Sequence, residues 1–262
     1  MDIPKVMGIL NLTKDSFYDG GKNNTIDKAL FHTEKMINEG AFFIDVGAAS
    51  SKPGNKLITL NEEKKILLPI FDKLIHYFPE VIFSIDTYNS SIAKACLEIG
   101  ASIINDISGG MIDLKMHETV AQFNAPYVMM HMQGTPDKMQ QNPKYTDLIT
   151  NVLSFFSKQI KLAYNSGVND IILDPGFGFG KNIQHNFSLL KHYDQFKSLQ
   201  CPLLMGISRK SMIYELLNTS SEKALNGTTA LNAWGLEKGA QILRVHDVKE
   251  AKECVDLWMA LK

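Results

Sequence analysis

Eight short apolar runs recur along the chain and constrain its fold more than any other feature. They read VMGIL, FFIDV, VIFSI, SIIND, YVMMH, DIILD, PLLMGI and QILRV, and they begin near residues 6, 42, 81, 102, 127, 170, 202 and 241. Most are apolar nearly throughout, which is typical of parallel strands that are buried on both faces. The runs therefore predict a parallel sheet covered by other elements.

Helical patterns separate the runs. Residues 25–40 and 146–167 place apolar side chains at helical spacing, and a glycine ends each pattern. A third pattern holds Pro69 near its middle, which predicts a kink or a break. Eight strands alternating with about eight helices in 262 residues predict an α/β fold, the (β/α)8 TIM barrel, as a single domain over residues 1–262. An open doubly wound sheet is the alternative, although NLTKDSFYDGG follows the first run in place of a glycine fingerprint.

The composition limits the classes of partner. A formal net charge of −1 gives no global electrostatic reason to bind nucleic acid or an anionic membrane. No window approaches the roughly 20 apolar residues of a membrane helix. The cysteines Cys96, Cys201 and Cys254 lack the spacing of a metal site, and they predict a reducing compartment. We therefore expect a cytoplasmic protein that binds small molecules.

Every predicted strand ends in a polar or charged side chain. These are Asn11, Asp45, Asp86, Asn105 with Asp106, His131, Asp174, Ser208 with Arg209 and Lys210, and Arg244 with His246. In barrels of this kind the chemistry lies at the carboxyl ends of the strands, so the set predicts one site at one mouth. Asp45 and His131 are equally well explained as paired interior groups.

The strand-end residues divide by charge. Carboxylates such as Asp86 and Asp174, with the amide of Asn105, suit the N–H edge of a flat heterocycle. Cationic groups follow the last two strands: Arg209, Lys210, Arg244 and His246. These cations, with Mg²⁺ held near Asn11 and Asp15, suit a diphosphate or a triphosphate. The residues predict a ligand that is heteroaromatic at one end and phosphorylated at the other.

The stretch LDPGFGFGK, residues 173–181, has three glycines at alternate positions before a lysine. It fits neither the dinucleotide fingerprint nor the P-loop. Phe177 and Phe179 are either ring-stacking groups or packing residues. Lys181 is either a ligand-binding group or a solvated loop charge.

Eight short sequence blocks, taken in order along the chain, resemble those of a known protein family. They are MGILNLTKDSFYDGG, IDVGAASSKPG, SIDTY, INDISGG, MHMQGTP, LDPGFGFGK, GISRKS and RVHDV, and they span Met7 to His246. Through these blocks the chain resembles the dihydropteroate synthase family of pterin-binding barrels. The resemblance implies a transferase of folate biosynthesis that condenses 6-hydroxymethyl-7,8-dihydropterin diphosphate with 4-aminobenzoate. It also implies a sulfonamide target and a homodimer.

The resemblance further implies a role for each matched residue. The pterin contacts are Asp86, Asn105, Asp174, Phe179, Lys210 and Met129 or the adjacent Met130. The diphosphate contacts are Asn11, Arg244 and His246, with Asn11 also a ligand of Mg²⁺. The 4-aminobenzoate contacts are Phe17, Ser51, Lys52, Pro53, Phe177 and Ser208. The catalytic group comprises Asp15, Lys210, Arg244 and His246.

The mechanism implied by the resemblance is early loss of diphosphate, which leaves a pterin-methylene cation for the aromatic amine to attack. Because that amine is neutral and weakly nucleophilic, we hypothesise positioning without an obligatory general base. The second loop reads Ala49 to Gly54 where the family pattern is E-S-T-R-P-G, so Lys52 keeps a charge but not the planar fork of arginine. Lys14 stands where a proline is usual.

Three other functions remain open from the sequence. One is a pterin-barrel methyltransferase, which needs no diphosphate site. The second is a pterin-binding relative without catalytic activity, suggested by the altered second loop. The third is a barrel enzyme that acts on a phosphorylated sugar. Such a substrate would not explain the acids and amides on the pocket floor.

Overall fold

The computed structural model describes residues 3–12, 22–48, 58–136 and 138–262. The strands are β1 (Lys5–Asn11), β2 (Phe43–Gly47), β3 (Ile82–Asp86), β4 (Ile103–Asp106), β5 (Tyr127–Met130), β6 (Ile171–Asp174), β7 (Leu204–Met205) and β8 (Ile242–Val245). The helices are α1 (Lys22–Asn38), α2 (Leu60–Tyr77), α3 (Ser90–Ile99), α4 (Met116–Gln122), α5 (Leu148–Asn165), α6 (Ile183–Lys191), α7 (Ser211–Tyr214), α8 (Leu225–Lys238) and α9 (Val248–Ala260). Short 3-10 turns at Tyr193–Leu199 and Ser221–Lys223 complete these elements.

The eight strands form one parallel sheet that curls into a cylinder. Their order is β6-β5-β4-β3-β2-β1-β8-β7. The two ends of this order meet, because a parallel bridge joins Leu173 to Leu203 and the amide of Leu173 donates to the carbonyl of Pro202 at 2.8 Å. The predicted single-domain (β/α)8 barrel is confirmed, and the open doubly wound sheet is excluded. The span of that domain over residues 1–262 remains a prediction.

The interior of the barrel is layered. A separate apolar cluster is formed by Met7, Phe43, Ile103, Val128, Ile172, Leu204 and Ile242, with Ile82 beside it. Because side chains alternate across a strand, the residues two positions further along face the same interior. Those residues include Asp45, Ser84, Asn105, Asp174 and Arg244. An apolar plug therefore closes the lower part of the barrel, and the polar groups gather above it at the carboxyl ends of the strands.

Helix α2 runs through Pro69 without a break, so of the predicted kink or break the break is excluded and the kink remains a prediction. Proline removes one backbone hydrogen bond, but buried side chains hold the helix against the barrel on both sides of it. Leu67 and Phe71 are fully buried around that position. The helix begins with a capping box, in which Thr59 and Glu62 each bind the other's backbone amide.

The three cysteines are free thiols, two of them buried. Across the described ranges, no helix is long and apolar enough to cross a membrane.

Candidate active site

Arg244 on β8 forms ion pairs with side chains of β2 and β3 above the apolar plug. Its Nε donates to Asp45 Oδ2 at 2.6 Å, and its Nη2 donates to Asp86 Oδ2 at 2.8 Å. The same oxygen of Asp45 accepts from Asn105 Nδ2 at 2.9 Å. The interpretation of Asp45 as a paired interior group is confirmed. The ion pair between Asp45 and Arg244 was not predicted from the sequence. Strand alternation alone nevertheless places Asp45 inside the barrel, two residues after Phe43.

Burial perturbs the acids of this layer. It raises the pKa of Asp86 to about 7, while Arg244 lowers it and the nearby Asp45 raises it further. Burial also raises the pKa of Asp174, against the opposing effect of Lys210. Buried acids with raised pKa values and cationic neighbours are typical of functional sites. Each of them offers a hydrogen-bonding group to a ligand that enters the mouth.

The sequence predicts acidic residues at one end of the site and cationic residues at the other, but the two groups are not separate in this structure. Arg244 lies among the acids, and its planar fork binds two carboxylates with the geometry that also suits phosphate oxygens. The two hydrogen bonds to Asp45 and Asp86 use two of its five N–H groups. A role for Arg244 at a diphosphate stays a prediction, and it requires the guanidinium to share its donors or to turn.

Lys210 and Phe179 meet beside Asp174. The Lys210 ammonium lies 4.7 Å from the centroid of the Phe179 ring and donates to the carbonyl of Phe177. Burial lowers the pKa of Lys210 to about 8, and Asp174 opposes that shift. Three of the predicted pterin contacts are therefore gathered at one side of the mouth.

Phe177 requires a correction. Its ring is fully buried and stacks on Tyr193, with centroids 6.0 Å apart and planes 24° apart. The ring therefore offers no surface to 4-aminobenzoate, and only the carbonyl of this residue reaches the site. Phe177 and Phe179 lie in different clusters, because Phe177 packs in the large core and Phe179 packs at the mouth.

Met129 also requires a correction. It is fully buried in the large cluster between sheet and helices, whereas Met130 packs with Phe179 in a small cluster at the mouth. Met130 lies in register with Asp174, and Met129 lies in register with Leu173. The interior position therefore belongs to Met130, which the sequence left as the alternative.

Ser208 and His246 are brought together after the ends of β7 and β8. The hydroxyl of Ser208 is 3.1 Å from His246 Nδ1, and the backbone amide of His246 donates to that hydroxyl at 3.2 Å. Arg209 is not the free cation that the sequence suggested. It forms a bidentate pair with Asp247, at 2.9 and 2.6 Å, from a backbone conformation with φ of 55°. That pair holds the two loops together.

Lys181 is buried, so its interpretation as a solvated charge was wrong. Its ammonium lies 2.9 Å from Nδ1 of His131. The interpretation of His131 as a satisfied interior histidine is confirmed.

Five of the predicted site residues lie outside the described ranges: Asp15, Phe17, Ser51, Lys52 and Pro53. Asn11 is described, half-buried at the end of β1 and in register with Gly47. Within the described ranges there is no group of three or more His, Cys, Asp or Glu side chains that could hold a metal ion. Mg²⁺ commonly takes one or two protein oxygens and completes its shell with substrate phosphate and water. The amide oxygen of Asn11 fits a metal that is shared with a diphosphate.

A closed parallel barrel with buried acids, an amide and cations at its carboxyl mouth defines an α/β-barrel enzyme. Comparison with known proteins narrows that class. The sequence profile of the family described as "Pterin binding enzyme" matches residues 7–246. A dihydropteroate synthase of Escherichia coli is 42% identical over 254 residues, covering 96% of this chain and 89% of that protein.

Solved structures agree with the sequence comparison. A dihydropteroate synthase of Yersinia pestis, in a complex with a sulfonamide drug, superposes with a TM-score of 0.93 at 40% identity and covers 99% of this chain and 94% of its own. The enzyme of Thermus thermophilus, in complex with 4-aminobenzoate, has a TM-score of 0.89 at 34% identity, with 100% and 95% covered. The chain belongs to the dihydropteroate synthase family of pterin-binding enzymes. The predicted family and the predicted enzyme class are confirmed.

Proposed function

We propose that the site condenses 6-hydroxymethyl-7,8-dihydropterin diphosphate with 4-aminobenzoate, giving 7,8-dihydropteroate and diphosphate for folate biosynthesis. The observation that carries the proposal is the polar layer above the plug, in which Asp86, Asn105 and Asp174 line one mouth. The Thermus thermophilus relative was solved with 4-aminobenzoate, which supports the second substrate.

The pterin lies flat over the apolar plug in this proposal. Asp174 and Asp86 accept hydrogen bonds from the N–H groups of the ring, and Asn105, oriented by Asp45, supplies an amide. Lys210 donates to the carbonyl and N5 side of the ring. Phe179 and Met130 form the apolar wall beside it.

The departing diphosphate meets the side of the mouth where the neighbouring strands β1 and β8 end. The groups proposed there are Asn11, Arg244 and His246. Asn11 would help to hold Mg²⁺ there, and the ion would supply positive charge to offset the charge that develops on the leaving group. The acids that hold the ring favour the cation that forms on the pterin methylene. This is electrostatic preorganisation, so no side chain needs to remove a proton before the carbon–nitrogen bond forms.

The aromatic amine approaches from the loops. Ser208 is held by His246 and is the described residue that we assign to this substrate. Phe17, Ser51, Lys52 and Pro53 complete the proposed contacts with 4-aminobenzoate, and Asp15 is proposed to act from the first loop. The released proton passes to solvent or to the diphosphate.

The test uses the purified protein with both substrates and Mg²⁺, and it follows the release of diphosphate and the formation of dihydropteroate. We expect both products in equal amounts, and we expect both to be lost when a chelator removes Mg²⁺. Pterin binding without product in the presence of 4-aminobenzoate would favour a binding protein without activity. Methyl transfer from methyltetrahydrofolate to a corrinoid, with no diphosphate released, would favour the methyltransferase.

We also propose a homodimer that works in the cytoplasm. The homodimer is supported by apolar side chains on the outer faces of α8 and α9. Trp234 on α8 is 56% exposed, while Thr228 and Asn232 on the same helix are buried against the barrel. Leu257 and Leu261, in α9 and just after it, are also exposed. Large apolar side chains exposed on neighbouring outer helices suit contact with a second copy of the chain.

A further inference from the structure

The loop after β6 is bent by glycines and lies against the exit of β5. Gly176, Gly178 and Gly180 have φ values of 72°, 82° and 64°. A Cβ at Gly176 would lie 2.0 Å from the carbonyl oxygen of His131, and one at Gly180 would lie 2.6 Å from that of Gln133. Only glycine allows both the left-handed backbone and this close approach.

The turns direct the carbonyls of residues 176–180 toward side chains. Lys181 donates to the carbonyls of Gly176 at 2.9 Å and Phe179 at 3.0 Å. Lys210 donates to the carbonyl of Phe177, and the amide of Gln140 donates to that of Gly178. The hydroxyl of Tyr145 donates to the carbonyl of Gly180 at 2.8 Å. A side chain therefore holds each of the five consecutive carbonyls.

Lys181 makes more of these contacts than any other donor. Its ammonium also lies 2.9 Å from His131 Nδ1 and 3.4 Å from the carbonyl of the same histidine. The close acceptors number three, and a lysine ammonium has three N–H groups to satisfy them. A neutral amine has only two N–H groups, which could serve the two carbonyls but would leave none for the His131 ring. The charged form donates to all three groups at once when Nδ1 of His131 is the acceptor.

The charge of Lys181 also affects the pKa values of the neighbouring histidines. Burial lowers the pKa of His131 to about 2 and Lys181 lowers it as well, so the ring is neutral. Burial lowers the pKa of Lys181 to about 7, while Asp174 raises it and Lys210 lowers it. Burial lowers the pKa of His185 too, and the Lys181 charge adds to that shift.

We propose that Lys181 is a positioning residue, an internal cation that takes the place of a bound metal ion in shaping the loop of residues 176–180. It fixes the backbone between Gly176 and Phe179. That backbone sets both the Phe179 ring and the Phe177 carbonyl, and these two groups hold Lys210 at the ligand. Lys181 itself is buried and does not touch the ligand. The inference rests on the proposed function only for the identity of that ligand.

The first test compares Lys181→Met, which keeps most of the length of the side chain without its charge, with Lys191→Met on the exposed surface of α6. We expect faster hydrogen exchange at the amides of residues 176–180 in the first variant only. We also expect the dissociation constant of the pterin diphosphate, measured by calorimetry, to rise at least tenfold. Unchanged exchange and affinity in a folded Lys181→Met protein would overturn the inference. A wild-type protein that fails to bind the pterin would contradict the proposed function instead, and the exchange measurement would still decide the role of Lys181.

The second test restores the cation from solution. Lys181→Ala removes the atoms of n-propylammonium, so that ion should recover most of the lost affinity at millimolar concentration. Tetramethylammonium has the charge without N–H donors, and 1-propanol has the shape without the charge, so neither should restore binding. Equal recovery by all three, or recovery by none, would contradict the proposal.

The wild-type protein provides a third readout if the variants do not fold. With ¹⁵N-labelled lysine at about pH 6, we expect a protonated Lys181 Nζ whose hydrogens exchange slowly with water, because burial lowers its pKa only to about 7. A neutral or rapidly exchanging amine at Lys181 would overturn the inference.

Discussion

Lys210 is one of the residues whose charge changes near the working range of pH. It lies between Asp174, which favours its charged form, and Arg244, which disfavours it. Burial lowers its pKa to about 8, far below the usual value for lysine. The cation is therefore present below about pH 8 and is lost as the pH rises through that value.

The affinity for the pterin substrate should follow this charge. We expect binding to weaken as the pH rises above about 8, because neutral Lys210 no longer acts as a cation beside the ring. Lys210→Arg should remove the weakening above about pH 8, because arginine stays charged. Calorimetric titrations across this range measure the effect. A wild-type affinity that stays flat to about pH 10 would contradict the assignment.

At the scale of elements, α2 is fastened to the end of β3 by one buried carboxylate. Glu63 accepts from the hydroxyl of Thr87 at 2.6 Å and from the amide of Asn89 at 2.5 Å. Thr87 directly follows Asp86, so this contact sets the direction in which the strand leaves the barrel. The sequence offered no signal for it, because the partners lie 24 and 26 residues away along the chain.

Glu63→Gln should loosen this junction. The new amide group faces the donor of Asn89 and leaves a buried polar group unsatisfied, which costs about 1–3 kcal/mol. Denaturant unfolding measures the loss. Glu98→Gln is the matched control, because Glu98 is exposed on α3 and its pair with Lys94 is 4.0 Å long, so its effect should stay below about 0.5 kcal/mol. Equal effects of the two changes would exclude a specific role for Glu63.

The elements were easier to predict than the directions of their side chains. The apolar runs located all eight strands and their polar ends, because burial on both faces leaves a clear pattern. Whether Met129 or Met130 faces the barrel interior depends on which of two adjacent positions points inward. A continuous apolar run does not specify that register. Lys181 and Arg209 were misread because each has a side-chain partner far along the chain, His131 at 50 residues and Asp247 at 38 residues, where spacing carries no information.

At the scale of the molecule, the apolar plug and the closed sheet hold the mouth rigid. The outer helices are left to contact a second copy of the chain. The proposed homodimer predicts that Trp234→Asp converts the dimer to a monomer, since a large aromatic side chain often dominates an interface. Phe31→Asp is the control, because Phe31 is 65% exposed on α1. Sedimentation equilibrium should show at least a tenfold weaker association for the first variant alone. A monomeric wild-type protein would contradict the dimer.

The central claim is that the acids at the mouth of the barrel hold the pterin ring. Asp174→Asn keeps the shape of the side chain but replaces an acceptor with a donor, whereas Asp170→Asn makes the same change at the exposed opposite end of β6. Calorimetry of the pterin diphosphate measures both variants. We predict binding at least tenfold weaker for Asp174→Asn, about 1.4 kcal/mol or more, and wild-type affinity for Asp170→Asn. Wild-type affinity in a folded Asp174→Asn protein would contradict the claim.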